Sequence, residues 1–162
     1  MKRTRAFGVQ VYPIRLVTVG KVKEAALRSM EAHYQNLLRG WVRLEVIEVQ
    51  EGRGEPVRQL KEEAERLRTW VAPPQIPVLL DVEGVSRTSE AFAAWLGTRM
   101  DRGERLCFLL GSSHGFDPAF KREVPEKLSL SPMTFPHDLC RILFLEQLYR
   151  AFAILRGSPY HK

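Results

Sequence analysis

Residues 111–115 form a G-x-S-x-G motif directly after an apolar run, with Ser113 at its centre. This is the pattern of the nucleophilic serine in α/β hydrolases. Such an enzyme also needs a histidine base and an acid, which His137, Asp138 and His161 could supply later in the chain. The motif alone therefore permits a serine hydrolase.

A second interpretation is a glycine loop whose backbone closes around a cofactor. The hydrolase motif requires a helix to begin at once beyond the serine. Here Asp117 and Pro118 have the residue types of an N-cap and a first helical turn, several residues beyond Ser113. The binding loop is therefore favoured, and the hydrolase is kept as the weaker alternative.

The C-terminal part of the chain carries three more specific blocks. They are S-x-M-T-F-P-H at 131–137, E-Q-L-Y-R-A-F at 146–152 and P-Y-H-K at 159–162. The segment I-R-L-V-T-V-G-K-V-K-E at 14–24 matches as an opening strand and turn. From residue 14 onward the chain resembles the RlmH (YbeA-like) family of SPOUT methyltransferases, which methylate N3 of a pseudouridine in bacterial large-subunit ribosomal RNA.

This resemblance implies an α/β fold in which the C-terminal stretch passes through a loop to form a trefoil knot. It implies S-adenosylmethionine as the cofactor, ribosomal RNA or the ribosome as the partner, and a homodimer. The cofactor residues that it implies are Leu80, Gly111, Leu130, Ser131, Pro132, Met133, Thr134 and Phe135. Leucine, methionine and phenylalanine side chains can form the apolar slot that adenine needs, and glycine lets the backbone approach it. Considered alone, Leu80 and Leu130 would instead be core residues at strand ends.

Two positions depart from the family pattern. The family usually has a second glycine after Gly111 and an acidic or amide residue before the last glycine, but this chain has Ser112 and His114. Both changes affect the expected contacts to the methionine end of the cofactor. If they abolished the pocket, the chain would be an RNA-binding α/β protein without catalysis, which is a further alternative.

The candidate catalytic residues lie in the final helix and tail. Deprotonation of the pseudouridine imide calls for a general base, and His161 is the first candidate, with Tyr160 packing against the base and His137 as the second candidate. Glu146 and Arg150 are spaced i, i+4, which predicts either a helical ion pair or, from the resemblance, an active-site pair. No metal site is expected.

Phosphate contacts are expected from basic side chains. The candidates are Arg150, Arg141, Lys162, Lys21 and Lys23. The net charge of +6 also favours a polyanionic partner such as nucleic acid. Arginine accounts for 18 of the 25 basic residues, which suits phosphate binding but also follows from a GC-rich genome.

Strand-like and helix-like segments alternate along the chain. This pattern predicts a mostly parallel sheet with helices on both faces, whose ligands lie beyond the carboxyl ends of the strands. The length of 162 residues predicts a single domain over residues 1–162, with residues 1–13 as a basic N-terminal extension. The final helix, predicted over 137–156, is apolar nearly all round, which a dimer interface would explain.

The chain has two cysteines, Cys107 and Cys140, far apart and in apolar runs. This usage predicts two buried, reduced thiols and a cytoplasmic protein. The basic start of the chain lacks the apolar core of a signal peptide, and no segment has the length of a membrane span. A cytoplasmic location without a membrane partner is therefore expected.

Overall fold

The computed structural model describes residues 11–162, in which five strands alternate with five helices. In chain order these are β1 (Tyr12–Val19), α1 (Ala25–Leu38), β2 (Val42–Val49), α2 (Pro56–Arg68), β3 (Gln75–Ser86), α3 (Ser89–Asp101), β4 (Arg105–Leu110), α4 (Pro118–Glu123), β5 (Lys127–Ser129) and α5 (His137–Leu155). The predicted alternation of strands and helices is confirmed.

The strands form one sheet in the order β2-β1-β4-β3-β5, and every neighbouring pair is parallel. In the centre of the sheet, Leu16 pairs with Phe108 and Val78 pairs with Phe108 on the other side. The predicted parallel sheet is therefore confirmed. The trefoil knot stays a prediction.

Helices cover both faces of the sheet, as expected for buried parallel strands. On one face, α1, α3 and α5 pack over side chains that include Leu16, Phe108 and Leu110. On the other face, α2 and α4 cover Val17, Leu79, Leu109 and their neighbours. Adjacent strand residues alternate between the two clusters because successive side chains point to opposite faces of a sheet.

Local sequence signals set several helix ends. The Thr88 side chain accepts a hydrogen bond from the Ala91 amide at 3.0 Å and caps α3. The Asp117 carboxylate accepts from the Phe120 amide at 3.1 Å and caps α4, whose first residue is Pro118. The cap at Asp117 was predicted from residue type, because oxygen side chains satisfy free amides at helix starts.

Three features differ from the sequence-based expectation. Strand β3 continues to Ser86, with an irregularity between Leu80 and Val85, although the apolar run ends near Asp81. Strand β1 begins at Tyr12, inside the segment 1–13 expected to be an extension, and residues 1–10 of that segment lie outside the described residues.

The third difference concerns α5. This helix is covered within the chain, because it packs on the sheet and against both α1 and α3. The Phe144 ring lies 4.7 Å from that of Phe108, measured between centroids. Much of its apolar surface is therefore covered without a second copy, although Leu155 is 41% exposed, and the homodimer stays a prediction.

In the part of the chain that the structure describes, no helix combines the length and apolarity needed to cross a membrane. Both cysteines are free thiols; Cys107 is buried and Cys140 is half-buried. Within residues 11–162, no group of three or more His, Cys, Asp or Glu side chains is placed to hold a metal ion.

Candidate functional site

A cavity of about 750 Å³ lies beyond the carboxyl ends of β4 and β5 and beside the irregular part of β3. This is the edge at which parallel sheets bind ligands. Its walls come from the irregular part of β3, the loops that follow β4 and β5, Lys121 of α4 and the start of α5. The lining residues are Leu80–Glu83, Leu110–Phe116, Lys121, Leu128, Leu130, Ser131, Met133–His137 and Cys140.

The structure brings together most of the residues expected to bind the cofactor. Seven of the eight line this cavity, namely Leu80, Gly111, Leu130, Ser131, Met133, Thr134 and Phe135. Pro132 is exposed and is not among the lining residues. Residues separated by up to 55 positions, from Leu80 to Phe135, thus surround one space.

Hydrogen bonds within the loop between β5 and α5 shape one wall of the cavity. The Ser131 hydroxyl accepts from the Met133 amide at 3.0 Å, and the Ser129 hydroxyl donates to the Ser131 carbonyl at 2.9 Å. Met133 itself is 70% exposed. The loop therefore has a defined backbone while it presents an apolar side chain that a ligand could cover.

The loop between β4 and α4 forms another wall and requires glycine at its start. A Cβ atom at Gly111 would lie 2.4 Å from the Gly115 carbonyl oxygen. The Gly115 amide also donates to the Ser112 carbonyl at 2.9 Å, which closes a tight turn. Glycine is therefore needed at position 111 for the turn, and its role toward the cofactor stays a prediction.

The serine of the G-x-S-x-G motif does not occupy a nucleophile elbow. Ser113 is exposed in that turn, and the next helix begins only at Pro118. The hydrolase alternative fails on this geometry, because the elbow places its serine at an immediate strand-to-helix junction.

The two departures from the family pattern leave the cavity open. Ser112 is buried, and its hydroxyl donates to the Glu63 carboxylate at 2.8 Å, while His114 is exposed at the cavity wall. The alternative of an RNA-binding protein without catalysis assumed that these two residues abolish the pocket, but the pocket is present.

An ion-pair group at the cavity wall was not predicted from the sequence. The Lys121 ammonium lies 3.1 Å from Asp81 Oδ2 and 2.7 Å from Glu83 Oε2, so α4 is tied to the extended part of β3. The only sequence signal was the position of Asp81 after an apolar strand. The pairing itself depends on the unpredicted continuation of β3.

Four of the five predicted catalytic residues form a second group, here called the tail cluster: Glu146, Arg150, Tyr160 and His161. One oxygen of Glu146, Oε1, accepts from Arg150 Nε at 3.0 Å and from the Tyr160 hydroxyl at 3.1 Å. Arg150 Nη1 lies 3.2 Å from His161 Nδ1, and His161 Nε2 lies 2.8 Å from Glu90 Oε1. The structure therefore joins the tail to both α5 and α3.

The contacts of His161 define its tautomer. A guanidinium has donors only, so Nδ1 must accept from Arg150, and the ring proton is then on Nε2 and is donated to Glu90. The pKa of the Tyr160 hydroxyl is raised to about 12 by burial and by the nearby Glu146 carboxylate. Tyr160 is therefore a neutral hydrogen-bond donor near neutral pH.

His137, the fifth predicted catalytic residue, lies apart from the tail cluster. It lines the cavity, and its Nε2 lies 3.0 Å from Asp138 Oδ1. None of the four residues of the tail cluster lines the cavity of the described chain. Arg150 follows Cys140 by ten residues on α5, which corresponds to roughly 15 Å along a helix.

Arg141 is not available to bind phosphate, and that expectation was wrong. Its guanidinium is buried, with Nε 2.8 Å from Glu31 Oε1 and Nη1 3.0 Å from both Glu48 Oε2 and the Thr18 hydroxyl. Arg141 therefore links α5 to α1 and β2 inside the chain. Apolar periodicity in α5 could not show this, because the partner carboxylates are distant in sequence.

The chain is similar in sequence to known proteins over most of its length. The family described as "Predicted SPOUT methyltransferase" matches residues 12–161. A protein named "Ribosomal RNA large subunit methyltransferase H" from Caldicellulosiruptor saccharolyticus is 36% identical over 153 residues, covering 92% of this chain and 99% of its own. The protein of the same name from Pelobacter propionicus is 38% identical over 150 residues, covering 91% and 98%. A solved SpoU methyltransferase, AviRb from Streptomyces viridochromogenes in complex with AdoMet, aligns with a TM-score of 0.47 at 13% identity over 93% of this chain and 61% of its own.

Proposed function

Because the chain belongs to the SPOUT methyltransferase family, we propose that it methylates N3 of a pseudouridine in large-subunit ribosomal RNA. Family membership makes the chain an enzyme that uses S-adenosylmethionine as methyl donor. The observation that carries the proposal is that seven of the eight expected cofactor residues line one cavity. The RNA target is suggested by the names of the similar proteins.

The cavity fits S-adenosylmethionine in size and chemistry. Its volume of about 750 Å³ is in the range of cofactor sites. Leu80, Leu130 and Phe135 offer apolar surface for adenine, and Gly111 lies in the same cavity wall. When bound, the cofactor supplies a methyl group already activated on a sulfonium, so the protein acts mainly by alignment.

The acceptor nitrogen must lose its proton, and His161 is the proposed base. Its Nδ1 lone pair is occupied by Arg150 in the isolated chain. A proton can be accepted there only after Arg150 turns away, and an RNA phosphate is a suitable new partner for a guanidinium. Tyr160, neutral and held by Glu146, is proposed to pack against the base. His137, at the cavity, is the second candidate.

The separation of the tail cluster from the cavity supports a homodimer. In the proposed dimer, the tail of one copy approaches the cavity of the other. Met30 and Leu37 are 44% and 37% exposed and lie seven residues apart on one face of α1, which offers an apolar surface to a second copy.

Phosphate contacts are proposed from the exposed basic residues around these elements. Lys21 and Lys23 precede α1, and the Lys23 amide donates to Asp138 at the start of α5 at 3.4 Å, close to the cavity. Lys162 is exposed at the end of the tail. The ribosome as substrate makes a cytoplasmic location part of the proposal.

The test is methyl transfer to ribosomes from cells that lack this modification. The full chain should label the RNA at one nucleotide, and base analysis should identify N3-methylpseudouridine. A variant ending at Gly157 should bind S-adenosylmethionine but fail to transfer the methyl group. Equal activity of the two proteins would remove the catalytic role of the tail, and label at another nucleotide would overturn the proposed target.

A further inference from the structure

Glu63 is a buried carboxylate that the proposed reaction does not use. It lies on the inner face of α2 beside Ala64 and Leu67 and is only 2% exposed. Among the described residues it forms no ion pair. A charged group at such a position requires hydrogen-bond donors in place of water.

Three donors converge on this carboxylate. Oε1 accepts from the Gly52 amide at 3.0 Å and from Gln59 Nε2 at 3.1 Å, and Oε2 accepts from the Ser112 hydroxyl at 2.8 Å. Gly52 and Ser112 belong to different loops, which follow β2 and β4. One side chain therefore holds two loops at the carboxyl edge of the sheet.

The loop that follows β4 is the one that lines the cavity. Ser112 directly follows Gly111, whose backbone is proposed to contact the cofactor, and both residues lie in the cavity wall. At the other loop, a Cβ atom on Gly52 would be 2.3 Å from the Gln59 carbonyl oxygen, so this loop is held close against α2. Movement of Glu63 would thus release the cavity wall from α2.

We propose that Glu63 is a positioning residue, which holds the cofactor-binding loop 111–116 in place through the Ser112 hydroxyl. The proposal rests on the proposed function of the cavity as the S-adenosylmethionine site. A carboxylate suits this role because it only accepts, and all three of its partners can donate.

The experiment measures S-adenosylmethionine binding by calorimetry and steady-state kinetics for the full chain, Ser112→Ala, Glu63→Gln and the double variant. Loss of a hydrogen bond to a buried charge should raise Kd for Ser112→Ala roughly tenfold. The KM for S-adenosylmethionine should rise in parallel, while kcat at saturating cofactor stays close to that of the full chain. The effect of Ser112→Ala should be smaller in the Glu63→Gln background, because Glu63→Gln removes the charge that the Ser112 hydroxyl contacts.

The matched control is Glu62→Gln. The neighbouring Glu62 accepts from the Arg53 amide, in the loop after β2 that also contains Gly52. It has no contact with Ser112. The Kd of Glu62→Gln for S-adenosylmethionine should stay within a factor of about two of the value for the full chain, because Glu62 does not contact the cavity loop. Equal effects of Glu62→Gln and Glu63→Gln, or an unchanged Kd in a folded Ser112→Ala protein, would overturn the proposal. If the full chain itself does not bind the cofactor, the proposed function fails as well.

Discussion

Arg150 and His161 contact each other through Nη1 and Nδ1, 3.2 Å apart, although one belongs to helix α5 and the other to the terminal tail. Arg150 also stacks over the Tyr160 ring, with the guanidinium carbon 4.9 Å from the ring centroid. The Arg150 side chain therefore holds the tail in place and also occupies Nδ1 of the proposed base, His161. This arrangement makes the roles of the tail residues separable by substitution.

His161→Ala should impair transfer and spare cofactor binding. His161 does not line the cavity of its own chain and is proposed to act on the RNA base, so Kd for S-adenosylmethionine should not change. Loss of a general base should lower kcat by about 100-fold. Single-turnover transfer to unmodified ribosomes measures this effect, with Pro159→Ala, an exposed position of the same tail, as the control. A full rate for His161→Ala would make His137 the leading candidate.

Gly111→Ala should weaken cofactor binding by displacing the loop. The new Cβ atom would lie 2.4 Å from the Gly115 carbonyl oxygen, so the turn must open. The expected rise in Kd for S-adenosylmethionine is about tenfold or more, because the loop backbone no longer matches the ligand. Gly40→Ala is the matched control, since its Cβ would meet nothing within 4 Å. Identical calorimetric titrations for the two variants would argue against the cavity as the cofactor site.

Arg141→Ala should destabilise the fold. The substitution leaves the buried Glu31 and the partly buried Glu48 without their cation. Removal of one partner from a buried ion pair costs about 3–5 kcal/mol of unfolding free energy. Urea denaturation monitored by circular dichroism checks this value. The combined variant Arg141→Met with Glu31→Leu should recover most of the loss, and a stability of Arg141→Ala equal to that of the unmodified chain would contradict the buried role.

Cys140 should be alkylated slowly, and bound S-adenosylmethionine should protect it. This half-buried thiol lines the cavity, and burial raises its pKa above the ordinary value. Since only the thiolate reacts, the rate below that pKa should increase about tenfold per pH unit. Mass spectrometry after iodoacetamide treatment measures both effects. Cys107 is the internal control: it is 0% exposed, with a pKa raised by burial to about 12, and should react only in unfolded protein. Labelling of Cys140 at the same rate with and without cofactor would place the ligand elsewhere.

The local sequence determined the succession of elements and several of their ends. Alternating apolar runs predicted the strands, and the oxygen side chain of Asp117 predicted a helix start, because a cap needs only neighbours within three residues. The end of β3 was not predictable in this way. Its last residues, Val85 and Ser86, are held by pairing with Leu128 and Ser129 of β5, not by an apolar pattern of their own.

Most residues that line the cavity were also predicted from the sequence, through the motifs around Gly111 and at residues 131–137. Whether a charged side chain faces solvent or the interior was decided only by the tertiary structure. Arg141 and Glu63 are ordinary charged helix residues in sequence, yet the fold buries both, one against Glu31 and the other against Ser112. The physical reason is that the donors and acceptors that offset the loss of water come from residues up to 123 positions away, which meet only when the sheet assembles.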